Sequence, residues 1–148
     1  MKTLFDPALR SGILARIERL RPGVTPQWGK MNAEQMLAHL VASMRMAVGE
    51  LHCESKKLPI RYPPLRQLVV YWMPWPKDSP TAKELLPPTD PGTLERNREE
   101  LTRLINDFGG RGMQREWPEH PAFGQLSRRG WGVLTWRHVD HHLRQFGV

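Results

Sequence analysis

Nine of the chain's fourteen prolines fall between Ser55 and Gly92: Pro59, Pro63, Pro64, Pro74, Pro76, Pro80, Pro87, Pro88 and Pro91. Proline lacks an amide proton, its ring collides with the preceding turn, and it drives the residue before it out of the helical region. No long helix can cross this stretch, so long helices must lie on either side of it. Upstream, Leu9, Ile13, Ile17 and Leu20 form a stripe that predicts a first helix from Pro7 to Arg21, with Asp6 as its cap and Pro7 in the first turn, where its missing N–H costs nothing. RPGVTPQWGKM ends that helix and leads into a second, capped by Asn32 with Gln35 three residues on as reciprocal partner, which stops near Gly49. Downstream, Asp90 is the expected cap of a third helix running to Phe108 through Leu94, Leu101, Leu104 and Ile105, ended by Gly109, Gly110 and Gly112. A fourth fills the stretch from Leu126 to Phe146. No run alternates with period two, no repeat recurs, and no glycine-rich phosphate loop is present. The pattern predicts an all-α four-helix bundle, one domain over residues 1–148, with a long proline-rich crossover between helices 2 and 3.

Within the crossover only Leu65 to Trp72 can be helical, and its apolar content argues that it packs on the body. Trp72 and Trp75 would either wall a pocket or seal the end of the core. Asn97 interrupts the third helix's stripe as a core amide or a pocket contact. His120 lies between Glu119 and Pro121 and reads as a loop residue, not a ligand.

The formal net charge of +7 raises nucleic acid as a partner. Arginines and lysines are nevertheless scattered among acids and never run beyond two, so solvated faces explain them better and no specific nucleic-acid binding is expected. The lone Cys53 excludes an internal disulfide. No apolar run is long enough to span a membrane, and MKTLFDPALRSG lacks the apolar core of a signal peptide. These features predict a soluble cytoplasmic protein without a membrane partner. A homodimer is a possible assembly.

Function is concentrated in the last helix, WRHVDHHLRQF, which carries three histidines within five residues. At about 100° per residue, His138, His142, Gln145, Trp131 and Leu134 share one face, while Asp140, Arg137, Arg144 and Val133 project from the other. Asp140 is then expected to pair with Arg137 or Arg144 on the solvent side. Histidines at i and i+4 stack about 5–6 Å apart at Cβ, from which both rings can reach one ion. A third imidazole, His39, lies on an otherwise largely apolar face of the second helix with Gln35, Met36, Ala42, Ser43 and Met46. Any one histidine is better read as a residue bonded to backbone or water. Three on the inward faces of two helices favour a metal site. His141 falls at the margin of that face, about 60° from His138 and 100° from His142, which suits a pocket residue and catalytic base better than a ligand. Val139 follows His138, so the zincin pattern is absent.

Glu34 to Leu40, of the form Glu-x-x-x-x-His-Leu, together with His138-x-x-x-His142-x-x-Gln145, resembles the DinB/YfiT-like superfamily of metalloenzymes. HPAFGQLSRRGWGVLTWRHVDHHLRQFGV is similar to a branch of it known only as a domain of unknown function. The resemblance covers Asn32 to Val148 and implies an up-down-down-up bundle. It also implies a divalent metal held by His39, His138 and His142, and superfamily members include thiol-dependent transferases and isomerases. Gly130 departs from it, standing where an acidic capping-box residue would follow Ser127.

Three neutral imidazoles leave a coordination position open, as in catalytic zinc sites, where the ion acidifies a bound water or takes a thiolate. Imidazole does not choose among metals: zinc or nickel comes first, with iron or manganese as further candidates. Gln35, Ser43 and Gln145 are candidate partners for the outer ring nitrogens. The expected function is a metal-dependent transferase using a low-molecular-weight thiol, or a hydrolase, acting on a small-molecule substrate with His141 as catalytic residue. The alternative is a non-catalytic metal-binding or stress-related helical bundle. A nucleic-acid binder is the weaker alternative.

Overall fold

A computed structural model of the chain describes residues 1–77, 81–111 and 116–148. Pro80 and Gly112, named above, lie outside the described residues. The described residues are all-α with no strand: α1 (Pro7–Glu18), α2 (Ala33–Ala47), a single turn α3 (Leu65–Gln67) continued by a π-helical turn (Leu68–Trp72), α4 (Leu94–Gly110) and α5 (Arg128–Gln145). Short 3-10 turns at Pro59–Arg61 and Lys83–Leu85 punctuate the crossover.

Capping residues set the ends. The Asp6 carboxylate accepts from the amides of Ala8 and Leu9, and Pro7 opens α1 as expected. That helix stops at Glu18, three residues before Arg21. Pro22 disfavours helical geometry at Arg21, and the Arg21 guanidinium instead donates to the carbonyls of Glu18 and Leu20. On α2 the capping box forms in full: Asn32 Oδ1 accepts from the Gln35 amide at 2.8 Å, and the Asn32 amide donates to Gln35 Oε1 at 3.0 Å. The cap of α4 is Thr93, not Asp90. Gly92, at φ +76°, breaks the run after Pro91, and Asp90 spends its carboxylate on the Gly92 amide in a turn. At α5 the Ser127 hydroxyl accepts from the Gly130 amide, a cap without the acidic half of the box.

Both α1 and α2 pack against both α4 and α5, and the core runs between the four through residues such as Ile17, Leu37, Leu40, Leu101, Leu104 and Leu143. Asn97 is a core amide: its Nδ2 donates to the carbonyls of Pro91 and Glu34, tying the start of α4 to α2.

The expected solvent side of α5 is absent at Val133 and Asp140, since both are buried. The N-terminal segment covers that side, with the Leu4 amide donating to the Gly132 carbonyl, and no space remains there for a side chain at Gly132. Asp140 still pairs with Arg144 but takes Arg16 of α1 as its second partner instead of Arg137. The segment from Leu65 to Trp72 packs on the body as expected, through buried Val70 and through Val69 and Tyr71, which lie against the core, while Leu65 and Leu68 are exposed and Trp72 is 73% exposed. Arg137 explains how it is held: its guanidinium donates to the carbonyls of Val69, Val70 and Met73. Its carbonyls on Arg137 and the apolar contacts of Val69, Val70 and Tyr71 together hold this turn on the body.

Candidate metal centre

Helix α2 carries His39 at its middle, and α5 carries His138 and His142 on successive turns of the surface that faces it. Their ring centroids form a nearly equilateral triangle, 5.0 Å between His39 and His138 and 4.9 Å for each of the other two pairs. One nitrogen of each ring lies within 4.8 Å of those of the other two, and His39 Nε2 is 3.1 Å from His138 Nε2. Donors at about 2.0–2.1 Å in a tetrahedral shell stand roughly 3.4 Å apart. The His39–His138 pair is close to that spacing.

The outer nitrogens fix which way the lone pairs point. His39 Nδ1 is 2.7 Å from the Leu85 carbonyl oxygen, which can only accept, so Nδ1 carries the proton and Nε2 the lone pair. His142 Nδ1 is 2.9 Å from Gln145 Oε1. Gln145 Nε2 donates to the Trp28 carbonyl at 2.6 Å, which settles the orientation of its amide and makes Oε1 the acceptor for His142. Two of the three rings are thus held with an unprotonated Nε2, as a metal ligand requires.

Electrostatics acts in the same direction. Burial lowers the pKa of His39 against the opposing effect of its Leu85 bond. Burial, with His39 adding to it, lowers His142 to about 3. His138 is driven well below the ordinary range by burial and then by the neighbouring imidazoles. An imidazolium in this triangle would be desolvated and would face like charge, so the rings are neutral at pH 7 and their donor electrons are free.

Of the three proposed outer partners, Gln145 reaches a ligand candidate. Gln35 is committed to the α2 cap, and the Ser43 hydroxyl donates to the His39 backbone carbonyl. His141 stays outside the triangle: its ring lies 5.3 Å from His142 and between two indoles, 5.7 Å from Trp28 and 6.2 Å from Trp75. Its pKa is lowered by burial, with Asp140 opposing. Trp75 also approaches His138 at 5.5 Å, so it walls the site, whereas Trp72 does not. His120 is in a loop as expected, with Nδ1 accepting from the amides of Ala122 and Phe123. Sequence reasoning missed Leu85, because its contribution is a backbone carbonyl, and Trp28. The available signal was the Trp28–Gly29 pair. Gly29 has φ +80°, and Gln145 Nε2 occupies the space where its Cβ would be, so glycine brings this connector against the site.

A family model described as a protein of unknown function, DUF1569, matches residues 7–147. The chain belongs to the DUF1569 family. No curated protein and no solved structure matches it. For this DUF1569 domain the chemistry therefore has to come from the donor set itself: three neutral imidazoles, two of them oriented by their outer hydrogen bonds, that could hold a divalent ion, with a further histidine and two indoles beside them.

Proposed function

We propose that the protein is a divalent-metal-dependent enzyme of the DinB-like type, an up-down-down-up four-helix bundle whose ion is held by His39, His138 and His142. The observation that carries this reading is the triangle of imidazoles, with one nitrogen of each within 4.8 Å of the other two and the outer protons of His39 and His142 taken by Leu85 and Gln145. His39 Nε2 also meets His138 Nε2 at 3.1 Å, an approach of two potential donor atoms that a shared ion would account for. A bound zinc or nickel ion would supply Lewis acidity toward a substrate group at its open position. The residues around it do the rest: Trp75 limits water on one side, and neutral His141 is placed to accept a proton from an entering thiol or water. Transfer to or from a low-molecular-weight thiol is the favoured reaction, with hydrolysis next.

The test has two stages. Purified protein is assayed for metal, then His39→Ala, His138→Ala, His142→Ala and His141→Ala are compared. The first three should each lose most of the bound ion, and His141→Ala should keep it. Equal loss in all four would overturn the ligand assignment. Electrophiles are then offered with and without thiol to metal-loaded, chelator-stripped and His138→Ala protein. Turnover that survives both stripping and substitution would refute metal catalysis.

A further inference from the structure

The crossover carries most of the apolar surface that the fold leaves in water. Among the described residues eight large apolar side chains are exposed, and six of them lie between residues 58 and 73: Leu58, Tyr62, Leu65, Leu68, Trp72 and Met73. At about 100° per residue, Leu65, Leu68 and Trp72 fall within roughly 80° of one another while Val70 points the opposite way. They form a ridge along α3 and the π-helical turn, with Val70 buried beneath it. The ridge is fixed in place, because Arg137 holds the carbonyls of Val69, Val70 and Met73. Apolar side chains gathered on a fixed, outward face mark a surface that something covers.

Charge narrows what covers it. Between Glu54 and Asp78 the sequence holds five cations, Lys56, Lys57, Arg61, Arg66 and Lys77, and no acid. Arg61 is paired with Glu119, whereas Arg66, on the ridge turn itself, donates to carbonyls only. Lys57 and Lys77 are exposed and form no ion pair among the described residues, and Lys56, also exposed, acts on the Glu84 carboxylate without pairing with it. A second copy fits poorly, because a two-fold contact sets one patch against itself and these cations would face their own images. A negative surface that takes up apolar side chains without a matching shape fits both features. Tryptophan and tyrosine are the side chains that settle at such a boundary, and flanking lysines and arginines strengthen it.

We propose that the crossover from Lys56 to Lys77 seats the protein on an anionic lipid bilayer, with Leu65, Leu68, Trp72 and Met73 entering the headgroup layer and Lys57, Arg66 and Lys77 drawn to the lipid charges. The contact is peripheral, since no helix among the described residues is long and apolar enough to cross a membrane. A search for long apolar runs detects spans and passes over single residues one turn apart, which is why the sequence alone points to no membrane partner. The turn is ordered before it meets the bilayer, so little conformational freedom is lost on seating. Nothing in this surface depends on an ion at the histidines.

Co-sedimentation of the whole chain with sucrose-loaded vesicles tests it, using phosphatidylcholine alone and phosphatidylcholine with about one-third phosphatidylserine. The mixed vesicles should be bound about tenfold or more tightly than the neutral ones, with an affinity that falls as salt is added. Lys57→Gln and Lys77→Gln should each weaken that binding about fivefold. Leu68→Gln combined with Trp72→Ala changes two exposed side chains, so it should leave the thermal midpoint in place and reduce binding to the mixed vesicles about tenfold or more. Mixed vesicles should also shift tryptophan emission to the blue, and Trp72→Phe should remove most of that shift. No binding to the mixed vesicles, binding indifferent to lipid charge, or binding retained in full by the Leu68→Gln, Trp72→Ala protein would overturn the proposal. So would a dimer in sedimentation velocity that this double substitution disperses, an outcome that assigns the ridge to a second copy.

Discussion

Gln145 shows how much one side chain can decide at this centre. Its amide spans the gap between connector and helix: Nε2 donates to the Trp28 carbonyl while Oε1 accepts from His142, so a loop carbonyl selects the tautomer of a ligand candidate two bonds away. Gln145→Leu keeps the volume and removes both bonds. Losses of partners in this position typically cost 10–100-fold in metal affinity, and a fall of that size in zinc affinity is expected, measured by competition with a chromogenic chelator. Unchanged affinity would mean that the His142 tautomer is set by something else. Gln145 could be selected from the sequence because a residue three positions after His142 shares its face. Leu85 could not, since a carbonyl is common to every residue and its position depends on how the crossover folds back. The same limit hid Arg16, whose approach to Asp140 joins residues 124 apart in the chain.

At the scale of elements, the long helices were legible because apolar spacing and capping residues agree, and the failures occur where neither applies. Counting apolar residues from Leu65 to Trp72 predicted the packing on the body that Val69, Val70 and Tyr71 make, but neither the hold of Arg137 on the turn's carbonyls nor the exposure of Leu65, Leu68 and Trp72. The face assignment on α5 failed for a related reason. A helical wheel gives the direction of a side chain but not what covers it, and a six-residue N-terminal segment was invisible to periodicity. Asp90 lost the cap of α4 to Thr93 because Gly92 intervenes at positive φ. The Arg137 attachment can be tested directly. Arg137→Gln removes charge-assisted bonds to three carbonyls at a partly solvated site, worth on the order of 2 kcal/mol together, and frees the turn that carries Trp75 to the histidines. Limited proteolysis should then cut between residues 62 and 77 several times faster, while the thermal midpoint of the four long helices moves little. A cleavage pattern identical to that of the unsubstituted protein would show that the apolar contacts of Val69, Val70 and Tyr71 suffice to hold the turn.

For the molecule as a whole, the buried imidazoles make stability a function of pH. His120, packed against Phe123 and Trp131, is lowered to about 3 by burial, with Arg61 adding to it, and His142 falls to about the same value. Unfolded histidine titrates near 6.5. Above about 6.5 neither state binds the proton, so these groups contribute no pH dependence there. Between about 6.5 and 3 the unfolded chain takes up protons that the folded one refuses, and stability falls with falling pH by up to about 1.4 kcal/mol per pH unit for each such group. Bound metal should steepen the loss, since protons compete for the same three imidazoles. His120 separates the two contributions because it lies outside the triangle. Its Nδ1 accepts from the amides of Ala122 and Phe123 at 3.1 and 3.2 Å, a turn that an asparagine Oδ1 can reproduce. His120→Asn should therefore keep most of the stability at pH 7.5 and flatten the decline between pH 6.5 and 4.5 by one group's share, with the metal-dependent part unchanged. Urea midpoints measured across that range, with zinc and with chelator, check this; a slope equal to that of the unsubstituted protein would place the His120 proton affinity near its ordinary value and remove this site from the acid response.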